Sequence, residues 1–289
     1  MATQFPRTTV GGVSLSRMII GSNWVFGYSH TSPSADNAIV RRHSDPRTTA
    51  DMLKVYLNHG IDTFMGPFER ESYLFKKPIM DAIHMAEDET GKKLILVDTP
   101  IINVDDNDTA RREAEAAIAR AEKCGATFCL LHHSSVEQLV NKNKGTIDRL
   151  PDYLKMVRDH GMHPGLSAHM PELVLYSDQN GYDVETYIQI YNCMGFLMQI
   201  EIEYVNKTIW NARCPVMTIK SMAAGRCSPF VGLNFSWATI RDCDMVTVGA
   251  FDAREAEEDI EISLAAIERR QANLAGRNSP NKSTAALNQ

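Results

Sequence analysis

TARREAEAAIARAEKCGATFCLLHH, residues 109–133, decides the fold. Its first part reads as a helix, with Thr109 as a candidate cap and Gly125 as the stop, because glycine takes the left-handed conformation that ends helices without steric cost. ATFCLLH (126–132) then runs apolar with no alternation. A run that short suits a strand buried on both faces, the kind found in parallel sheets covered by helices. The same punctuation recurs in both directions. Upstream lie the runs MIIG (18–21), GIDTF (60–64) and KLILVD (93–98), and downstream GLSAH (165–169), FLMQIEIEY (196–204), PVMTIK (215–220) and MVTVG (245–249). Between them, TTADMLKVYLNHG (48–60) and DYLKMVRDHG (152–161) end in glycine, and AREAEEDIEISLAAIERR (253–270) carries acids early and arginines late, as the helix dipole favours. Eight strands alternating with helices form an α/β pattern.

Composition narrows the function classes. The 289 residues are 44% hydrophobic and 23% charged, ordinary for a globular chain. A net charge of −6 without a basic stripe argues against nucleic acid as a partner. The start lacks an apolar signal core and no run approaches a membrane span, so a cytoplasmic protein with no membrane partner is expected. The six cysteines form no CxxC pair and read as reduced, inert thiols. Residues 1–272 are expected to form one domain, with a polar, flexible tail at 273–289. The sequence leaves a homo-oligomer open.

The strand ends resemble the aldo-keto reductase superfamily, from about residue 8 to 265. TTVGGVSLSRMIIGSNW is similar to that family's N-terminal hairpin and first strand, FCLLHH to its fourth strand, DHGMHPGLSAH to its fifth (G-x-S-N), IEIEYVN to its sixth (Q-x-E-Y-N), IKSMAAGR to its seventh, and VTVGAFDAREAEEDI to the last strand and the helix that carries the cofactor phosphate. The resemblance implies a (β/α)8 TIM barrel with its site at the C-terminal mouth. It also implies a catalytic tetrad of Asp, Tyr, Lys and His. Asp62 and His132 match two members. Pro67 and Phe68 stand where the Tyr belongs, about five residues after Asp62, and Pro100 stands where the Lys belongs. Glu201 replaces the amide-binding Gln, Ala168 the neighbouring Asn, and Lys220 the Tyr that stacks on nicotinamide. A cationic Lys beneath an oxidised nicotinamide is repelled by it, so the residues argue against NADP bound in the usual way.

Strand parity suggests other chemistry. It places Asp98 inward beside His132, His169 and Glu201, a set of nitrogen and oxygen donors that suits a divalent metal such as Zn, Mn or Fe. Asp62, Lys220 and His132 are the candidate catalytic residues. Trp24, Tyr28, His30 and Ser167 are the candidate substrate-binding residues, the first three on the long loop 24–47. His133 is expected to point away from the mouth. The leading expectation is a non-redox, metal-assisted lyase, isomerase or hydrolase acting on a small hydroxylated or keto, sugar-like substrate. An NADP-dependent oxidoreductase with altered catalytic residues and an inactive binding or regulatory barrel are the alternatives.

Overall fold

The computed structural model describes residues 4–274. Eight parallel strands close into a barrel: β1 (Met18–Gly21), β2 (Thr63–Gly66), β3 (Ile95–Asp98), β4 (Ala126–Leu131), β5 (His163–Ala168), β6 (Thr186–Ile190), β7 (Val216–Ile219) and β8 (Met245–Val248). Each strand pairs with its neighbours in chain order, and β8 pairs with β1 to close the ring. The architecture is the expected (β/α)8 barrel.

Two apolar cores hold it. Inside the barrel, Ile19, Met65, Val97, Phe128, Leu130, Ile188, Met217 and Met245 meet Val10 and Leu15 of an N-terminal hairpin, Arg7–Val10 and Val13–Ser16. The hairpin therefore plugs the bottom of the barrel. A larger core fills the layer between strands and helices. The helices start and stop as their sequences dictate. Asn107, Ser32, Ser228 and Asp252 accept backbone N–H bonds as N-caps. Gly60, Gly125 and Gly161 each take positive φ just past a helix. The helix expected at 109–125 spans Asp108–Lys123 and is capped by Asn107 rather than Thr109. The helices Pro46–Asn58 and Ala253–Glu268 pack together, with Tyr56 and Asp259 both buried. Desolvation and the neighbouring Glu255 raise the Asp259 carboxyl to about 8.

Two expected strands move. β2 starts at Thr63, so Asp62 lies before the strand, at the plugged end, where it pairs with Arg7 at 2.8 Å. The sixth strand is TYIQI, not 196–204. Its five residues are all buried, as a barrel strand requires, whereas FLMQIEIEY alternates polar and apolar. That alternation belongs to a loop followed by the amphipathic helix Ile202–Asn211, and Leu197, Ile200 and Tyr204 are exposed. The stretch 171–195, too long for a simple connection, holds both a helix (Glu172–Asn180) and β6. Likewise 24–47 is largely helical, containing Pro33–Arg42 and the start of Pro46–Asn58.

The cysteines are all free, and burial pushes the Cys124 thiol up to about 12. Among the described residues, no helix is long and apolar enough to cross a membrane. The expected tail falls mostly outside the described residues.

Candidate functional site

A cavity of about 420 Å³ opens at the C-terminal ends of the strands, the end that carries the active site in barrels of this kind. His132, His169, Lys220, Trp24, Tyr28, His30 and Ser167 line it. So do three residues that sequence reasoning missed or misplaced, Arg70, Thr99 and His133.

The expected metal ligands do not converge. Asp98 has the opposite parity from the inward Val97, and faces the helix layer. There it is fully buried and accepts the Glu69 N–H at 2.9 Å, and burial drives its carboxyl well above the usual range. The next inward position is Thr99. Glu201 is the exposed residue that opens the helix Ile202–Asn211. Asp62 is at the far end of the barrel. His132 is also turned the wrong way for a metal. The Ser134 N–H donates to its Nδ1 at 3.3 Å, and the Ser134 hydroxyl lies 2.8 Å from the same atom. Nδ1 is thus an acceptor and the proton sits on Nε2, so the nitrogen facing away from Ser134 is a donor rather than a metal-binding lone pair. Among the described residues, no group of three or more His, Cys, Asp or Glu side chains could hold a metal ion.

In place of carboxylates the cavity gathers nitrogen. Among the described residues no Asp or Glu lines it, while His30, His132, His133, His169, Lys220 and Arg70 all do. His133 stacks on His169 with centroids 3.8 Å apart and lies 4.2 Å from His132. It points inward because the chain leaves strand geometry at His132 and enters the short helix His133–Val136, where parity no longer applies. Glu137, from the next turn, accepts the N–H groups of His169 and Met170 at 2.7 and 2.8 Å and so fixes the loop that carries His169.

Burial and cationic neighbours tune these groups. Desolvation, then the charges of His133, Arg70 and Lys220, lower His132 to about 3. Desolvation, then His133 and Lys220, lower His169 to about 3. Both rings are therefore neutral at physiological pH. Desolvation alone lowers the Lys220 ammonium to about 8. Its Nζ lies 2.9 Å from Nε2 of His30, which also faces the Asn23 amide at 3.3 Å. Both members of the pair are non-glycine residues with positive φ, 62° at Lys220 and 56° at His30, and Ala223 and Ala224 follow with 50° and 53°. Such backbone is strained, and strain of this kind concentrates at functional sites.

The first loop is fastened on both sides of the mouth. The Tyr28 hydroxyl donates to Glu71 at 2.8 Å, and Lys77 pairs with Glu71 at 2.7 Å. On the other side, His43 Nε2 meets the Phe251 carbonyl at 3.0 Å, and Trp24 sits edge-on to the Phe251 ring. The helix after β8 begins on its own carboxylates. Asp252 accepts the N–H groups of Arg254 and Glu255 at 3.0 Å, and Glu255 accepts that of Phe251 at 2.8 Å.

The observed strands also correct the register of the resemblance. The inward residue at the mouth end of β2 is Met65, not Asp62, and five residues on stands Arg70 in place of the Tyr. The Y-N pair of the sixth-strand motif falls at Tyr191–Asn192, which puts Ile188 at the Gln position; Ile188 faces the cavity.

No protein-family model matches the sequence, and a comparison with curated proteins finds no match either. Solved structures do match. A crystal structure of a putative aldo-keto reductase from Pseudomonas aeruginosa aligns with a TM-score of 0.64 at 15% identity, covering 92% of this chain and 97% of that one. A second structure of the same description and organism aligns with a TM-score of 0.61 at 14% identity, with the same coverage. At such identities the likeness speaks for the fold and leaves the chemistry to the site. The chain therefore has the (β/α)8 barrel fold seen in aldo-keto reductase structures.

Proposed function

We propose that the protein is a non-redox enzyme, a lyase or isomerase, that moves protons on a small keto or hydroxy compound using side-chain nitrogen in place of a metal or a nicotinamide. The observation that carries this reading is the cavity wall, which among the described residues holds four imidazoles, a lysine and an arginine and no carboxylate. The amine lowered to about 8 titrates near working pH beside imidazoles held neutral as hydrogen-bond donors and acceptors, and such perturbed groups cluster where chemistry is done. In the tautomer described above, Nε2–H of His132 can donate to a carbonyl oxygen. The fixed positive charge of Arg70 stabilises negative charge developing there, the part a metal was expected to play.

A nicotinamide dinucleotide held in the family manner does not fit these residues. Its ring would meet Ile188 and a cationic Lys220, and its phosphate would meet a helix start already occupied by Asp252 and Glu255. NADPH is accordingly expected to bind no more tightly than the millimolar range in a fluorescence titration; micromolar binding would count against this reading.

Turnover is tested most directly by proton NMR in D2O. The protein is incubated with a panel of keto acids, hydroxy acids and sugar phosphates, with EDTA present and nucleotide absent. Exchange of a proton next to the carbonyl, or appearance of a cleavage product, is expected. Activity that appears only when NADPH or a divalent metal is supplied overturns the proposal.

A further inference from the structure

We propose that Lys220 forms a covalent imine with the carbonyl carbon of an anionic keto compound, whose negative group is held by Arg70. This rests on reading the cavity as a carbonyl-processing site and names the substrate class that site takes.

The geometry supports an amine nucleophile. Lys220 follows directly on β7, lines the cavity, and has no carboxylate within ion-pair distance among the described residues. In its neutral form the amine can still donate one N–H to Nε2 of His30, 2.9 Å away, which leaves its lone pair free for attack. Desolvation, which favours the neutral amine, is the recognised way a lysine becomes nucleophilic near neutral pH. A structural lysine at this depth would be expected to pair with an acid, as Lys77 does with Glu71.

Arg70 supplies the second half. It opens the helical turn Arg70–Leu74 that follows β2, and its Nε is buried without a hydrogen-bond partner. Its guanidinium lies 4.9 Å over the Phe75 ring and pairs with no carboxylate among the described residues. A buried guanidinium donor without an acceptor leaves a desolvated group unsatisfied, and a planar carboxylate or a phosphate is the complement its fork prefers. The charges of Arg70 and Lys220 both depress His132, so His132 lies within electrostatic reach of each. One small molecule can then span Arg70 and Lys220, with its carbonyl oxygen toward His132.

The step balances without an oxidant or reductant. The Lys220 lone pair adds to the carbonyl carbon, forming C–N, while the C=O π pair moves to oxygen, where Nε2–H of His132 holds it by a hydrogen bond. A proton on the added nitrogen then passes to that oxygen, giving a neutral carbinolamine. A proton from solvent on the hydroxyl releases water as the nitrogen lone pair closes to C=N. The sum is amine plus carbonyl plus one proton giving iminium plus water. The iminium then accepts the electron pair of an adjacent C–H or C–C bond, and the proton of that C–H, or of the hydroxyl on the carbon that departs, passes through the cavity to solvent.

Borohydride trapping tests this without requiring turnover, so its outcome is separate from that of deuterium exchange. The protein is reduced in the presence of pyruvate or of hydroxyacetone, an uncharged ketone of similar size, and the adduct is located by peptide mass mapping. Pyruvate is expected to label Lys220, with hydroxyacetone labelling it roughly ten- to a hundredfold less at equal concentration, the range of a charge-assisted contact. Arg70→Gln should bring pyruvate down to the hydroxyacetone level, and Lys220→Met should abolish the label while circular dichroism shows an intact fold. The pH midpoint of labelling should lie near 8. His30→Ala should move that midpoint upward by hydrating the amine, a shift that a purely structural role for His30 would not produce. No adduct, an adduct spread over surface lysines, or equal labelling by both ketones overturns the proposal.

Discussion

Asp259→Asn stabilises the protein by roughly 4 kcal/mol at pH 8 and by little at pH 4. Asp259 is 4% exposed, and its carboxyl is raised to about 8 in the fold by desolvation and by Glu255. The folded state therefore binds a proton that the unfolded chain, with an ordinary carboxylate, has released. For an acid shifted upward, the stability contribution is full below the unfolded value near 4 and is lost as pH rises through about 8. Asparagine has no proton to hold, so the penalty disappears. The shape is close to that of the protonated acid, and packing between the helices Pro46–Asn58 and Ala253–Glu268 is retained. The cavity imidazoles, lowered by burial, are the same in both proteins and cancel in the difference. Urea unfolding of both proteins from pH 4 to 8 checks this. Parallel stability curves would mean that Asp259 is ionised in the fold.

Glu137→Ala is expected to cost about 3 kcal/mol and to unlock the His cluster. One oxygen of Glu137 accepts two backbone N–H groups, at 2.7 and 2.8 Å, from the loop that carries His169. Removing it leaves both donors without a partner in a half-buried place, and the stack of His133 on His169 loses its anchor. The readout that distinguishes this from general destabilisation is the titration of the His169 ring. Its pKa is held at about 3, chiefly by desolvation, and should climb toward the ordinary imidazole value as the loop hydrates. Glu137→Gln keeps an acceptor oxygen and should show a smaller effect on both measurements. An unchanged His169 titration in the Ala variant would show that the loop is fixed by something else.

The fold was largely legible because glycine stops and unbroken apolar runs are local signals. MIIG, ATFCLL and MVTV declare themselves without reference to the rest of the chain. β6 was missed for a physical reason: TYIQI is short, and FLMQIEIEY beside it alternates as a strand would. The alternation arises there from an amphipathic helix and an apolar loop. The site was legible where a residue follows directly on a strand, as Lys220 and His169 do. It failed where counting crossed a break in geometry. An anchor three residues early at Asp62 hid Arg70. One step of parity sent Asp98 inward and left Thr99 unseen. His133 was turned outward because strand alternation was carried into a helix. Glu137 had no sequence signal, since its role is to accept N–H groups from a loop more than thirty residues away.

The left-handed backbone at His30, Lys220, Ala223 and Ala224 has a bearing on how this protein can be altered. Each such position is one that glycine or asparagine would occupy more comfortably, so a search for thermostable variants will be drawn to these sites and will gain ~1 kcal/mol at each. At Ala223 and Ala224 the gain is expected to be harmless to the amine. At His30 and Lys220 the same substitution removes a member of the proposed proton-handling pair. Selection for heat resistance alone should therefore yield barrels that are firmer and chemically silent, and selection for both properties should leave His30 and Lys220 untouched while the alanines beside them change.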